Sequence, residues 1–174
     1  MKISEIAKFL EEYAPVSLAE DFDNVGLLLG CGESEVTRIL LTLDVDYNVA
    51  VEAKALGAEL IISHHPVIFN PLKKITDETA EGRCLLYLIQ NGISVYSAHT
   101  NLDSAAGGLN DLLSELLGLQ STVPLCDNGC GEGLGRIGTL KDTATINQLA
   151  SKVKSILSVP LIRCSGKPDD IVSK

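Results

Sequence analysis

The chain has 174 residues, enough to bury a sizeable core in one domain or in one domain plus part of another. Apolar residues make up 45% and charged residues 21%, ordinary globular usage, and the longest apolar runs fall far short of a bilayer span, so no transmembrane helix is expected. A net charge of −9 and only 4% aromatic residues argue against nucleic acid, whose phosphates would be repelled and whose bases would find few rings to stack on, while mildly favouring metal cations.

In chain order, MKISEIAKFLEEYAP places Ile3, Ile6, Leu10 and Tyr13 on one helical face. Its Glu5, Glu11 and Glu12 are unlike a signal or transit peptide, so the sequence reads as that of a cytoplasmic protein. DNVGLLLG reads as a turn feeding a short strand, and the nearly continuous apolar run of RILLTLDV as a strand covered on both faces. Asp46 can cap a helix through YNVAVEAKALG that Gly57 closes, and ELIIS returns as a strand. A helix over 77–91, with Asp77 or Thr79 at its cap, then leads through Gly92 to the strand ISVYSA, and GLNDLLSELLG forms another helix. Strands alternating with helices at this spacing predict an α/β fold, a parallel-rich sheet flanked by helices.

From about residue 121 the texture changes. STVPLCDNGCGEGLG reads as a turn-rich polar linker, RIGTL as a strand, TATINQLASKVKSIL as a helix from Thr143 or Thr145, and LIRCSGKPDDIVSK as one short strand with nothing to cover it. The expected organisation is therefore a metal-binding α/β domain over 1–121 and, over 122–174, the beginning of a second α/β domain that stops short. Gly133, Gly135 and Gly138 satisfy G-x-G-x-x-G, but a polar turn precedes them and a strand follows, the reverse of the strand-to-helix context a pyrophosphate cradle needs. The five cysteines lack C-x-x-C spacing, and Cys126 with Cys130 reads as a chance pair rather than a redox or zinc motif.

All three histidines fall in two segments, IISHHPVIF and VYSAHTNLD. Each begins as an apolar strand and turns polar at its carboxyl end, where open α/β sheets bind ligands. His64 and His65 are adjacent, and alternation along an extended backbone, reinforced by Pro66, predicts that their rings diverge. Diverging rings suit two ions about 3.5 to 4 Å apart with a bridging carboxylate. Asp103 is the available bridge, although it also fits a helix N-cap ahead of AAGGLNDLL. His99 reads as a ligand or, preferably, as a group that hydrogen-bonds a ligand or moves protons, and Ser63, Ser97 and Asn101 as turn and supporting residues. Asp21, Asp23 and Cys31 stand in reserve as further ligands. Imidazole and carboxylate donors suit two divalent ions of zinc, iron, manganese or nickel.

DNVGLLLG, SHHP after one strand, SAHTNLD after another and GRIGTL further on resemble, in order and spacing, the Nif-three-like proteins, many of which carry the name GTP cyclohydrolase I type 2 homologue. The resemblance covers essentially the whole chain. It implies an α/β protein with a dinuclear metal centre at His64, His65 and Asp103, His99 close by, and assembly with itself into a toroidal hexamer. It also implies a longer chain with a further glycine-rich strand and a later histidine and glutamate at the metals, so this sequence is expected to be a fragment. Two functions follow as expectations. One is a metal-dependent hydrolase that attacks a heteroaromatic ring carbon or a phosphoester of a nucleotide or phosphoester substrate, with His99 relaying protons. The other is a non-enzymatic metal-binding interaction or regulatory module.

Overall fold

The computed structural model describes residues 1–127, 129 and 131–174. It separates into two compact units, Met1–Ala105 and Ala106–Lys174. The division falls earlier than the change of texture near residue 121, because the helix at Leu109–Leu117 packs on the strands that follow it.

The first unit is α/β. Helix α1 (Ile3–Tyr13) precedes strands β1 (Gly26–Leu29) and β2 (Ile39–Thr42), then helix α2 (Tyr47–Leu56), strand β3 (Leu60–Ser63), helix α3 (Ala80–Gln90), strand β4 (Ser94–Ser97) and the short helix α4 (Thr100–Ser104). The sheet order is β1-β4-β3-β2, with β2, β3 and β4 parallel as predicted and β1 added antiparallel to β4 at one edge. The helices start and stop where their local chemistry dictates. Asp46 accepts the Val49 N–H at 2.9 Å and Gly57 takes the left-handed conformation that closes α2 (φ 69°). Thr79 caps α3 through the Gly82 N–H at 3.0 Å.

Alternation along the central strands divides the core between the two faces. Ile61 and Val95 pack with Ala50, Ala53, Cys84 and Leu88 under α2 and α3, while Leu60 and Tyr96 pack with Ile3, Ile6 and Ala7 under α1. Both central strands are covered on both faces, which is why ELIIS and ISVYSA show no polar alternation. At the entry to β2, the Glu59 carboxylate accepts the Arg38 and Thr37 backbone N–H groups, which hold its pKa down at about 2.

The second unit contains helix α5 (Leu109–Leu117), the hairpin of β5 (Leu119–Asp127) and β6 (Gly133–Leu140), strand β7 (Ala144–Thr145), helix α6 (Ile146–Ile156) and strand β8 (Ile171–Val172), which pairs with β7. The stretch read as a turn-rich linker is thus largely a strand. A two-stranded ribbon open to solvent on its faces carries no apolar alternation, so β5 has the composition of a loop. Gly133 opens β6 with φ +146°, where a Cβ would stand 1.8 Å from the Cys126 carbonyl oxygen, a structural demand of the hairpin. Arg136, on β6, pairs with Asp111 on α5 and holds that carboxyl below its usual range. Cys126 is exposed, and the Cys126–Cys130 pairing weighed from the sequence lies outside the described residues. Thr145 caps α6 in a reciprocal pairing with Gln148. Among the described residues no helix is long and apolar enough to cross a membrane.

Tyr96 lies in the core at 1% exposure and its hydroxyl has no hydrogen-bond partner among the described residues. Burial, with a contribution from Glu11, pushes its pKa up to about 12. The neutral phenol's burial therefore stabilises fully below pH 10, and that contribution is lost as pH rises from about 10 to about 12. Tyr96→Phe removes an unpaired buried hydroxyl and is expected to stabilise by about 1 kcal/mol, roughly 2–4 °C in Tm. It is also expected to flatten the alkaline limb of the stability profile. Calorimetry of both proteins across pH 8 to 12 checks this, and a lower Tm for the variant would refute the account of the hydroxyl.

Candidate metal centre

The parallel hydrogen bonding of the sheet does not end with the strands. His64 N–H and His65 N–H donate to the Thr42 and Leu43 carbonyls at 3.2 and 2.9 Å, and Ala98 N–H donates to the Ser63 carbonyl at 3.0 Å. The loops leaving β2, β3 and β4 therefore lie side by side at the carboxyl edge. Beneath them the Ser63 hydroxyl donates to the His65 carbonyl at 2.9 Å, so Ser97 donates to Ser63 across 2.8 Å. Asn101, fully buried, accepts the His99 N–H at 2.9 Å and donates to the Ala14 carbonyl at 2.8 Å. Ser63, Ser97 and Asn101 are thus hydrogen-bonded beneath the histidine segments.

His64, His65 and His99 converge. Their ring centroids stand 5.1 to 5.5 Å apart, and one nitrogen from each lies within 4.8 Å of one from the others. The predicted divergence of His64 and His65 does not occur. Both lie beyond the last residue of β3, in a bend closed by the Ser63–His65 hydrogen bond, where the alternation of a strand no longer applies. Asp103 lies within α4, four residues past the capping position of His99, so the N-cap reading of Asp103 is overturned. Gly108 occupies the cap of α5 instead. The Asp103 carboxylate approaches the His64 Nε2 to 3.8 Å.

Each imidazole is held by its Nδ1. His64 Nδ1–H donates to the Ala98 carbonyl at 2.9 Å, His65 Nδ1–H to Asp44 at 2.7 Å, and His99 Nδ1–H to Asp23 at 2.9 Å. A carbonyl only accepts, so the His64 tautomer is determined, and ionised carboxylates impose the same tautomer on the other two. In the neutral ring Nε2 is then the nitrogen that offers a lone pair. Asp44, at the exit of β2, was not singled out in the sequence; its signal was a carboxylate at the polar end of an apolar strand. Asp23 was held only as a reserve ligand, and it serves here as the partner of His99. Asp21 and Cys31 are exposed, and neither belongs to the cluster.

The Asp23 side chain is fully covered. Burial pushes its pKa up, but hydrogen bonds from His99, the Thr100 hydroxyl and the Asn24 and Thr100 backbone N–H groups outweigh it and hold the carboxyl below its usual value. These residues fit a divalent transition metal. Three imidazoles, each fixed by an oxygen acceptor at Nδ1, with a carboxylate nearby, form the donor set such ions take.

Asp23→Ala leaves the His99 and Thr100 donors facing a covered space and is expected to cost about 2–3 kcal/mol. Because the Asp23 pKa is lowered in the fold, the stability it supplies is present above its ordinary value of 3.8 and is lost as pH falls below it. The gap between wild type and Asp23→Ala in denaturant titrations should therefore shrink in acid. A gap unchanged from pH 7 to pH 2 would refute the assignment.

The sequence profile of DUF34/NIF3 (NGG1p interacting factor 3) matches residues 1–174. A Clostridium perfringens protein named GTP cyclohydrolase 1 type 2 homolog is 42% identical over 176 residues, covering 100% of this chain and 67% of its own length. One of the same name from Lactococcus lactis is 42% identical over 163 residues, covering 94% of this chain and 62% of its own. The chain thus spans about two thirds of the length of these curated relatives. The crystal structure of a Bacillus cereus protein related to NIF3 superposes with a TM-score of 0.90 at 29% identity, covering 99% of this chain and 75% of the other. Fold, motifs and family profile agree over the whole chain: it belongs to the DUF34/NIF3 family.

Proposed function

We propose that this chain carries the metal-binding part of a metal-dependent hydrolase, with two divalent ions held by His64, His65 and Asp103 and with His99 moving protons beside them. The observation that carries the reading is that all three imidazoles are hydrogen-bonded at Nδ1 and gathered so that one nitrogen of each lies within 4.8 Å of one from the others. Ions held there supply Lewis acidity, which lowers the pKa of water towards neutrality and polarises an electrophile. His65 and His64 contribute nitrogen donors oriented by Asp44 and the Ala98 carbonyl. Asp23, covered and with its carboxyl held below the usual value, accepts from Nδ1 of His99 and so presents Nε2 as the atom that takes a proton from an attacking hydroxyl and returns it to a leaving group. The substrate class is a nucleotide or another phosphoester, in line with the name of the Clostridium relative. Assembly of copies of this chain into a closed ring, a hexamer, belongs to the same proposal.

The test is elemental analysis with turnover assays over a panel of nucleotides and phosphoesters. Wild type is expected to hold zinc, iron, manganese or nickel and to show turnover that chelators abolish. His64→Ala and His65→Ala are each expected to lower metal content, with affinity falling about 10- to 100-fold. Unchanged metal stoichiometry in both variants would sink the proposal. Metal binding with no turnover on any substrate would favour a binding or regulatory module instead.

A further inference from the structure

Of the chain's three phenylalanines, two stand side by side in the open. Phe22 and Phe69 are 66% and 42% exposed, with ring centroids 6.5 Å apart and planes tilted by 58°. Both hang from segments that build the candidate metal centre. Phe22 immediately precedes Asp23, the carboxylate on His99, and sits in a turn closed by the Asp23 N–H on the Glu20 carbonyl at 2.9 Å. Phe69 lies four residues beyond His65. The two segments are fastened by the Asn24 side-chain amide, which donates to the Ile68 carbonyl at 2.6 Å. The pair is therefore placed by the same backbone that places His65 and His99.

Exposing two phenyl rings forfeits the stabilisation their burial would bring, so their position calls for an occupant. The exposed polar residues Asp21 and Asn70 flank them. Two rings between polar neighbours offer far less apolar area than the roughly 1,000 Å² of a specific protein interface. Tilted rings present a face and an edge together, the surfaces against which one further planar ring packs best.

We infer that Phe22 and Phe69 form the ring-binding subsite of this site, taking the aromatic or heteroaromatic part of a substrate whose ester group reaches the metals. The inference rests on the hydrolase reading above and adds the class of substrate, a ring-bearing ester. It assigns specificity, not chemistry, to the two side chains.

The experiment uses 4-nitrophenyl phosphate and ethyl phosphate as probes on zinc-loaded protein, and 4-nitrophenol on zinc-free protein, with wild type, Phe22→Ala and Phe69→Ala compared by calorimetry and ligand-observed NMR. Wild type is expected to bind the aryl ester about three- to tenfold more tightly than the ethyl ester. Each variant should lose most of that preference while keeping its zinc content, its Tm and its affinity for ethyl phosphate. 4-Nitrophenol should bind wild type without zinc and bind either variant more weakly. That result, together with ester binding indifferent to zinc, would discard the hydrolase reading and leave the ring subsite standing. An undiminished aryl preference in both variants would overturn the inference, as would absence of any preference in wild type. Variants that sediment as a smaller assembly with ring preference intact would overturn it too, by making the pair a contact between copies of the chain.

Discussion

The arrangement at the carboxyl edge depends on parallel hydrogen bonding carried past the ends of the strands. His64 donates its backbone N–H to Thr42, the last residue of β2, His65 to Leu43 just beyond it, and Ala98 to Ser63, the last residue of β3. Three loops that would otherwise splay apart are held in register one to two residues beyond the strands. Imidazoles on a free loop would lose several rotamers' worth of entropy on meeting an ion; here the backbone and the Nδ1 hydrogen bonds have already fixed them. The two hydroxyls beneath, Ser63 and Ser97, are buried and mutually satisfied, so the support is rigid as well as close.

The charge at Asp23 follows from the same economy of contacts. A covered carboxylate is tolerated only when its oxygens are saturated, and Asp23 accepts from two side chains and two backbone N–H groups. Those partners come from Asn24 beside it and from His99 and Thr100 at the start of α4, so the interaction that keeps the charge ionised also ties the N-terminal turn to the histidine loop. Asp44, by contrast, is exposed and fixes His65 from the solvent side, where its attraction is screened. His99 is accordingly the more rigidly held of the two rings, and the more sensitive to a change in its partner.

What the sequence discloses follows the range of the interactions concerned. The ends of α2 were legible because Asp46 and Gly57 act on backbone within a few residues of themselves. The central strands were legible because their unbroken apolar runs reflect burial on both faces. Strand β5 was not, since its pairing with β6 leaves most of its side chains in solvent. At the site, the pairing of SHHP with SAHTNLD at one sheet edge could be read from strand ends alone. The convergence of His64 with His65 could not, because it depends on a bend set by a serine hydroxyl rather than on strand alternation. The partnerships of Asp44 with His65 and of Asp23 with His99 join residues 21 and 76 positions apart and leave no local pattern.

Convergence of three imidazoles also bears on the division of roles in the proposed site. A nitrogen that donates its lone pair to an ion cannot at the same time accept a proton, so His99 serves either as a third nitrogen ligand or as a proton carrier, and Nε2 is the only atom it has for either. Asp23, fully covered, accepts from Nδ1 of His99 at 2.9 Å and so leaves Nε2 as the nitrogen for either role. His64 is held in the same way by the Ala98 carbonyl at Nδ1, and its Nε2 has the Asp103 carboxylate 3.8 Å away. In the proposed site the two carboxylates therefore stand on opposite nitrogens of the two rings, Asp23 behind His99 at Nδ1 and Asp103 beside the free Nε2 of His64.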